Sequence, residues 1–322
     1  MNNILWIEKY RPKTIDDLVI DDSTLNKIKR IIHDKDMPNI IITGVPGIGK
    51  TTTILCIAQY LLGKYFNQNV LELNASDDRG IKSVQDTIIY FCKKKLDIYD
   101  KDKKYASHKI VLLDEADNIT NRAQQLINTL MENYKKTTRF AFTCNNSSDI
   151  IEAIQSRCII FRYKRLSNDQ IRNKLEYICK KENINYENKG IDAIIITSQG
   201  DMRQAINNLQ LVYNGYKEVT DKNVFKLCDK PHPIIIKNIF IACNKKLMKD
   251  ALLYLYELIN DGYSSADITM SMINYLKLIK FEEINEDIKI KFLNEICKAS
   301  LIINRGIDTP LQLTGLISKL CL

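Results

Sequence analysis

The sequence of 322 residues predicts an α/β domain with a parallel sheet, followed by a small helical domain and an all-helical C-terminal domain. Three observations support this fold class. A glycine-rich loop joins an apolar strand candidate to a helix candidate. Short apolar segments alternate with helical segments in the first half of the chain, and from residue 166 onward the apolar spacing is helical. We expect domains at 1–165, 166–230 and 231–322, the last of them a packing or oligomerisation module.

The expected strands are short, apolar and separated by helical segments, which is typical of a parallel sheet covered by helices. They are Ile40 to Thr43, Val70 to Leu73, Ile110 to Leu113, Arg139 to Thr143 and Ile159 to Phe161.

After Leu166 we expect no further strands. Ser167 is expected to cap a helix, and the last helix of the second domain is expected to begin near Asp201. A junction is predicted around Asp229 to Pro233. Helical periodicity then predicts helices over Ile234 to Ala242, Ala251 to Ile259, Ile268 to Ile279 and Ile288 to Ile303.

The composition is that of an ordinary soluble globular protein, with 45% hydrophobic and 27% charged residues. No apolar run is long enough for a membrane span, and the first nine residues do not resemble a secretion signal. Nine scattered cysteines without a Cys-x-x-Cys pair, and only three histidines, give no reason to expect structural zinc or a disulfide framework. We therefore expect a cytosolic or nuclear protein.

The formal net charge of +8 is compatible with a polyanionic partner, but a soluble protein can also carry such an excess merely for solubility. The densest basic stretch runs from Lys93 to Lys104. Because aspartates are interspersed in it, a solvated loop is the favoured interpretation.

The segment Gly44-Val45-Pro46-Gly47-Ile48-Gly49-Lys50-Thr51 has the pattern of a phosphate-binding loop between a strand and a helix. Its glycines let backbone N–H groups turn toward phosphates, Lys50 supplies a positive charge, and Thr51 offers a hydroxyl to Mg²⁺. The helix that follows, with an apolar stripe ending at Gly63, adds its positive N-terminal end. The segment therefore predicts binding of a nucleoside triphosphate with Mg²⁺.

The strand candidate after Lys109 ends in Asp114 and Glu115, at the sheet edge where parallel α/β folds bind ligands. We interpret it as a Walker B strand in which Asp114 helps to hold Mg²⁺ and Glu115 orients or deprotonates the attacking water. The alternative is that both carboxylates are only solvent-exposed side chains at the end of a strand. Asn145 ends the next strand candidate, where its amide could bond the γ-phosphate or the water, or simply form a turn.

Two arginines could complete such a site in different ways. Arg203, on the helix expected near Asp201, could reach the phosphates of its own site. Arg157, between Ser156 and Cys158, could point outward and act on the nucleotide of a neighbouring subunit. For each arginine a surface salt bridge remains an open alternative.

The whole chain resembles the small subunits of eukaryotic replication factor C, which are AAA+ clamp loader subunits. The similarity of residues 223–233 and 312–321 favours the branch called subunit 4 in budding yeast and subunit 2 in humans. Motifs across the chain carry the resemblance: Trp6-x-x-Lys9-Tyr10-Arg11-Pro12, the phosphate loop, Leu71 to Gly80, Asp114-Glu115-Ala116-Asp117, Thr137 to Phe140, Ser156-Arg157-Cys158 and Gly200 to Ala205.

The resemblance implies an ATPase with a nucleotide-binding AAA+ P-loop domain, a helical lid and a helical collar. It places Tyr10, Arg11 and Pro12 beside the adenine, with Val19 and Thr52 expected in the same pocket. Asn145 would be sensor 1 and Arg203 sensor 2, while Arg157 would reach the ATP of the adjacent subunit.

The same resemblance implies a nuclear heteropentamer of replication factor C subunits that uses ATP and Mg²⁺, opens the PCNA sliding clamp and places it on primer-template DNA. It also suggests a DNA-backbone contact at Arg79 to Ser83, including Lys82, although ordinary helix capping would explain that segment as well. Two alternative functions remain open. The chain could be a structural ring member that binds ATP without hydrolysing it, or a different AAA+ DNA motor.

The sequence departs from the family pattern at three places. Ile20 follows Val19 where a glycine is usual. Val45 and Ile48 stand where proline and threonine are common in the loop, and we expect both changes to be harmless. Asn128-Thr129 replace a basic pair, which weakens the expectation of a DNA contact on that helix.

Overall fold

The computed structural model describes residues 4–75, 81–95, 105–228, 230–278, 285–307 and 309–322, with backbone alone at 81–85 and 278. Much of the basic stretch before Tyr105, and the side chains of the expected DNA contact at Arg79 to Ser83, lie outside the described residues. The chain forms two compact units. One comprises Met1–Asn185 with Ile194–Leu211, and the other comprises Tyr186–Ala193 with Val212–Leu322.

Helices and strands alternate over the first part of the chain. The elements in order are α1 (Trp6–Lys9), α2 (Asp22–His33), β1 (Ile40–Thr43), α3 (Lys50–Leu62), α4 (Phe66–Asn69), β2 (Val70–Asn74), α5 (Ile81–Lys93), β3 (Lys109–Asp114), α6 (Asn121–Asn133), β4 (Thr138–Cys144), α7 (Glu152–Gln155), β5 (Ile159–Arg162) and α8 (Asn168–Glu182).

The remaining elements are mainly helical. They are β6 (Asn185–Tyr186), α9 (Asn188–Ser198), α10 (Met202–Tyr216), β7 (Glu218–Val219), α11 (Asp221–Leu227), α12 (Pro233–Asn244), α13 (Met248–Asn260), α14 (Ser265–Leu278), α15 (Glu286–Asn304) and α16 (Pro310–Leu320).

The five expected strands are confirmed, each within one residue at either end, and they form one parallel sheet in the order β2-β3-β4-β1-β5. The sheet is buried on both faces, so each strand sends alternate side chains into two cores. In β1, Ile40 and Ile42 pack in the core beneath α2 and α3. Ile41 packs in the opposite core, which includes Ile127 and Met131 of α6.

Two expectations about the second half are wrong, and one helix was not among those predicted. Strands do not stop after Leu166, because β6 and β7 form a two-stranded sheet. Two-residue strands are too short to leave a periodic pattern. The last helix before the junction is α11, which Thr220 caps by accepting from Asn223 N–H, and not the helix near Asp201. A further helix, α16, begins at Pro310, a residue favoured at the first helical position.

The second unit has its own core, formed by the facing sides of α12 to α16. Phe240 lies at its centre, with its ring stacked 5.8 Å from that of Phe292 and 6.2 Å from that of Tyr275. Aromatic side chains bury large apolar areas, so they make a major contribution to a helical core of this size. The all-helical C-terminal region expected from the apolar spacing is therefore confirmed.

Among the described side chains of the first unit, one lysine is fully buried. Lys109 begins β3, is 1% exposed, and donates from Nζ to the carbonyl oxygens of Phe91 (2.6 Å), Cys92 (3.0 Å) and Lys94 (2.6 Å). Carbonyls at the end of a helix have no partner within the helix. The lysine satisfies them at the end of α5 and ties this helix to the sheet.

We predict that Lys109→Met lowers the free energy of unfolding by about 2–4 kcal/mol, because three carbonyl groups lose a charged donor and the bond to the Cys92 carbonyl is buried. Urea unfolding followed by circular dichroism measures the change. Lys93→Met, at an exposed position of the same helix, is the matched control and should be nearly neutral. Equal stability of the two variants would contradict the capping role of Lys109.

Candidate functional site

A cavity of about 380 Å³ lies at the carboxyl edge of the sheet in the first unit. Parallel α/β folds bind ligands at this edge because strand ends and helix starts converge there. Most of the residues expected to bind nucleotide line this cavity: Tyr10, Arg11, Pro12, Val19, Pro46, Gly47, Ile48, Gly49, Lys50, Thr51, Thr52, Asp114, Glu115, Asn145 and Arg203. Arg157 is not among the residues that line it.

The phosphate loop needs glycine at two of its positions. Gly47 and Gly49 have φ of +73° and +88°, which side chains rarely adopt. A Cβ atom on Gly47 would also lie 1.7 Å from Oδ1 of Asp201, just before α10. The backbone N–H of Met202 donates to the carbonyl of Gly47 at 3.2 Å. The start of α10 therefore packs directly on the loop.

The Lys50 ammonium group lies inside the loop and donates to three neutral oxygens. The acceptors are the carbonyls of Gly44 (2.6 Å) and Val45 (3.1 Å) and the Oδ1 atom of Asn145 (2.9 Å). Gly44 and Val45 thus take part through their backbone and not as lining residues. Burial lowers the pKa of Lys50, since a partly desolvated ammonium group loses hydration. Phosphate oxygens would supply the negative charge that these acceptors lack.

Three oxygen-bearing side chains meet where the first helical turn of α3 approaches the end of β3. Thr51 Oγ1 donates to the carboxylate of Asp114 at 2.9 and 3.0 Å. The hydroxyl of Thr143, in the neighbouring strand β4, donates to the same carboxylate. A hydroxyl and a carboxylate are hard oxygen donors of the kind that Mg²⁺ prefers alongside water and phosphate. The residues present therefore fit a magnesium ion bound with a nucleotide.

Glu115 and Asn145 lie beside this oxygen cluster. Glu115 adopts a left-handed backbone conformation with φ of +54°, and its N–H donates to Thr143 Oγ1 at 3.2 Å. Asn145 is fixed through its backbone: its N–H donates to Asp117 Oδ2 at 3.0 Å and its carbonyl accepts from Thr43 Oγ1 at 3.2 Å. The backbones of both residues are thus held by hydrogen bonds to residues at or just beyond the strand ends.

The N-terminal segment forms the other wall of the cavity. Arg11 Nε donates to Thr52 Oγ1 at 3.3 Å, which links this segment to α3. Tyr10 Oη donates to Glu182 Oε1 at 2.6 Å, and the ring of Tyr10 makes an edge contact with Tyr177 at 6.3 Å. Partial burial and the bond to Glu182 raise the pKa of Tyr10, so the phenol stays protonated and remains a donor.

Arg203 and Arg157 occupy different environments. Arg203 is in the first turn of α10, is exposed, and lines the cavity, close enough to Lys50 for its charge to lower the pKa of that lysine further. Arg157 lies outside the cavity, with 39% of its side chain exposed, and forms an ion pair with Glu132 of α6. The surface salt bridge weighed for Arg157 is therefore present, on a side chain that still faces solvent.

Sequence patterns did not identify several residues that shape the site. Thr143 looks like an ordinary strand residue, and Glu182 like one more charge in a polar helix end. Asp117 follows the two acids for which the motif predicts a role, and the sequence predicts Asp201 only as the start of a helix. No local signal links Thr143 to Asp114 or Glu182 to Tyr10. The spacing of strand ends in a parallel sheet is the only sequence signal for the first contact.

Within the described part of the chain, no helix combines the length and apolar character that a membrane crossing requires.

Comparisons with known proteins agree with this geometry. The AAA model, for the ATPase family associated with various cellular activities, matches residues 40–166. A model for the RFC1-like AAA+ ATPase lid domain matches residues 168–223, and one for the replication factor C C-terminal domain matches residues 231–319. The solved structure of the Thermotoga maritima RuvB Holliday junction branch migration motor shares the fold, with a TM-score of 0.55 at 15% identity over 72% of this chain and 79% of that one.

Curated relatives cover nearly the full length. Probable replication factor C subunit 2 of Dictyostelium discoideum is 46% identical over 98% of this chain and 92% of its own. Replication factor C subunit 4 of Saccharomyces cerevisiae is 44% identical over 98% of this chain and 95% of its own. This agrees with the resemblance to the branch called subunit 4 in yeast. The chain belongs to the replication factor C family of AAA ATPases.

Proposed function

We propose that this chain is the ATP-binding and ATP-hydrolysing subunit of a replication factor C complex that opens the PCNA sliding clamp and loads it onto primer-template DNA in the nucleus. The observation that carries the proposal is the meeting of Lys50, Thr51, Asp114, Glu115 and Asn145 at one edge of the sheet. Loading would use ATP binding, and hydrolysis would lower the affinity of the complex for clamp and DNA.

When ATP binds, a phosphate oxygen would replace one of the present hydrogen-bond acceptors of Lys50. All three N–H bonds of the ammonium group are used by Gly44, Val45 and Asn145. A phosphate oxygen is a stronger, charged acceptor and displaces one of them. If Asn145 is displaced, its amide becomes available to the γ-phosphate or to the attacking water. Binding would then set up the hydrolytic site in the same movement.

Hydrolysis relies on the residues around Asp114. Thr51 and Asp114 would hold Mg²⁺, which when bound neutralises charge on the β- and γ-phosphates. Thr143 keeps the Asp114 carboxylate oriented and also accepts from the Glu115 N–H. Glu115 orients the attacking water and accepts its proton. Tyr10, Arg11, Pro12, Val19 and Thr52 would contact the base and sugar, and Arg203 would reach the γ-phosphate.

The Arg157 guanidinium lies outside its own cavity, which supports a role at the ATP of an adjacent subunit. We therefore include a heteropentameric ring in the proposal. Within this chain, the proposed nucleotide-binding domain spans residues 1–165, the lid 166–230 and the collar 231–322. The match of residues 231–319 to the replication factor C C-terminal domain argues against a different AAA+ DNA motor. A non-hydrolysing ring member is the alternative that the next experiment tests.

We predict that Glu115→Gln keeps ATP bound while slowing hydrolysis by roughly two to four orders of magnitude, because only the group that accepts the proton is lost. Filter binding measures retention of ATP, and phosphate release by the assembled complex with clamp and primed DNA measures turnover. Lys50→Ala is the contrasting control and should lose tight binding itself. Unchanged turnover in Glu115→Gln, or no ATP turnover at this subunit in the wild-type complex, would contradict the hydrolytic role.

We predict that the effect of Arg157→Ala appears in trans. The isolated variant should bind ATP as the wild type does, because Arg157 is not in its own cavity. In the assembled complex, clamp- and DNA-stimulated turnover at the adjacent site should fall on the order of a hundredfold or more. Complexes in which the other sites are disabled at their phosphate-loop lysine assign the loss to one site.

Two results would contradict this assignment of Arg157. One is loss of ATP binding in the isolated Arg157→Ala chain. The other is full stimulated turnover at the adjacent site of the assembled variant. Either would leave the ion pair with Glu132 as the whole role of this arginine.

A further inference from the structure

Helix α6 anchors the segment that leads to Arg157. Gln124 of α6 is 1% exposed and makes two bonds to this segment. Its Nε2 donates to the carbonyl of Asp149 at 2.9 Å, and its Oε1 accepts from the N–H of Ile151 at 2.8 Å. Gln155 closes the turn from the other side by donating to the carbonyl of Ile150 at 2.6 Å. The backbone before Arg157 is therefore held in one conformation.

Glu132 lies eight residues after Gln124, a little over two turns along α6 and roughly 80° around the helix axis. Its carboxylate pairs with the Nη2 group of Arg157. The Nη1 group of Arg157 donates to the carbonyl of Ala153 at 2.7 Å. Helix α6 thus contacts the Arg157 side chain through Glu132 and the backbone segment that leads to Arg157 through Gln124.

A guanidinium group has five N–H bonds, and the two contacts use two of them. Three N–H bonds remain for another acceptor while both contacts are kept. The ion pair is half-exposed, with 39% of the Arg157 side chain and 50% of the Glu132 side chain accessible. Exposed pairs are weak, so Glu132 cannot withhold the arginine from a triphosphate, whose charge is larger. It can, however, select one rotamer of a long side chain.

We propose that Glu132 is a positioning residue, which holds the Arg157 guanidinium in the orientation that meets the γ-phosphate of the adjacent subunit. The inference rests on the proposed role of Arg157 in trans. A pre-oriented guanidinium loses less rotamer freedom when the transition state forms, and the gain appears in the rate of the chemical step. Affinity for ATP at the adjacent site is set by that site's own loop and should not depend on Glu132.

The test uses the assembled complex with only the adjacent site able to hydrolyse ATP. We expect Glu132→Ala to lower stimulated kcat at that site by about tenfold, within the range that misplacement of a catalytic group produces, with KM for ATP unchanged. Glu132→Gln keeps an acceptor oxygen at the same distance and should restore much of the rate. Glu152→Ala removes an exposed carboxylate of α7 that has no described contact with Arg157, and should leave kcat unchanged.

A double-mutant cycle separates this inference from the proposed function. In the Arg157→Ala background, Glu132→Ala should have no further effect, because it acts only through the arginine. Two results would overturn the positioning role while leaving the role of Arg157 intact. One is turnover in Glu132→Ala that equals or exceeds the wild-type rate. The other is a fold-loss from Glu132→Ala that is the same with Arg157 present and with Arg157→Ala. If Arg157→Ala itself changes nothing, the proposed trans function fails and the inference fails with it. Thermal melts of each variant establish that the chain is folded.

Discussion

The Lys50 ammonium group imposes the constraint on which the rest of the site depends. It is a partly buried charge whose three N–H bonds end on neutral oxygens, two from its own loop and one from Asn145 at the end of β4. Neutral acceptors satisfy hydrogen bonding without balancing the charge. An anion would therefore balance the charge that the loop, the strand end and the lysine leave uncompensated. The positive φ of Gly47 and Gly49 lets the loop backbone approach the same anion.

Parallel pairing of the strands explains why residues far apart in sequence meet around this charge. Asp114 ends β3 and Thr143 is near the end of β4, so their side chains reach the same edge. Thr51 arrives from the start of α3, and the three oxygens form one hydrogen-bonded cluster. The same strand order leaves β5, which follows Arg157, at the outer edge of the sheet. The residues proposed for chemistry within the chain's own site thus lie at central strands, and the arginine proposed to act on an adjacent subunit lies at the periphery of the sheet.

The elements that could be predicted are those with local signals. Apolar runs gave the five strands, and glycine spacing gave the loop. The strands β6 and β7 could not be found, because two residues carry no period. Lys109 was also beyond prediction, since a lysine at the start of a strand normally lies on the surface, and only the distant end of α5 makes its burial favourable. The contact of Glu132 with Arg157 depends on how α6 packs against the segment before β5. A short stretch of sequence carries no information on that packing.

A structure of the chain bound to Mg²⁺ and a non-hydrolysable ATP analogue tests the central claim most directly. We predict that Lys50 Nζ lies within hydrogen-bond distance of the β- and γ-phosphates and has released Asn145, whose amide then faces the γ-phosphate. Thr51 and Asp114 should border the metal. An analogue bound outside this cavity, or a Lys50 that keeps all three of its present acceptors with the phosphates in place, would contradict the account.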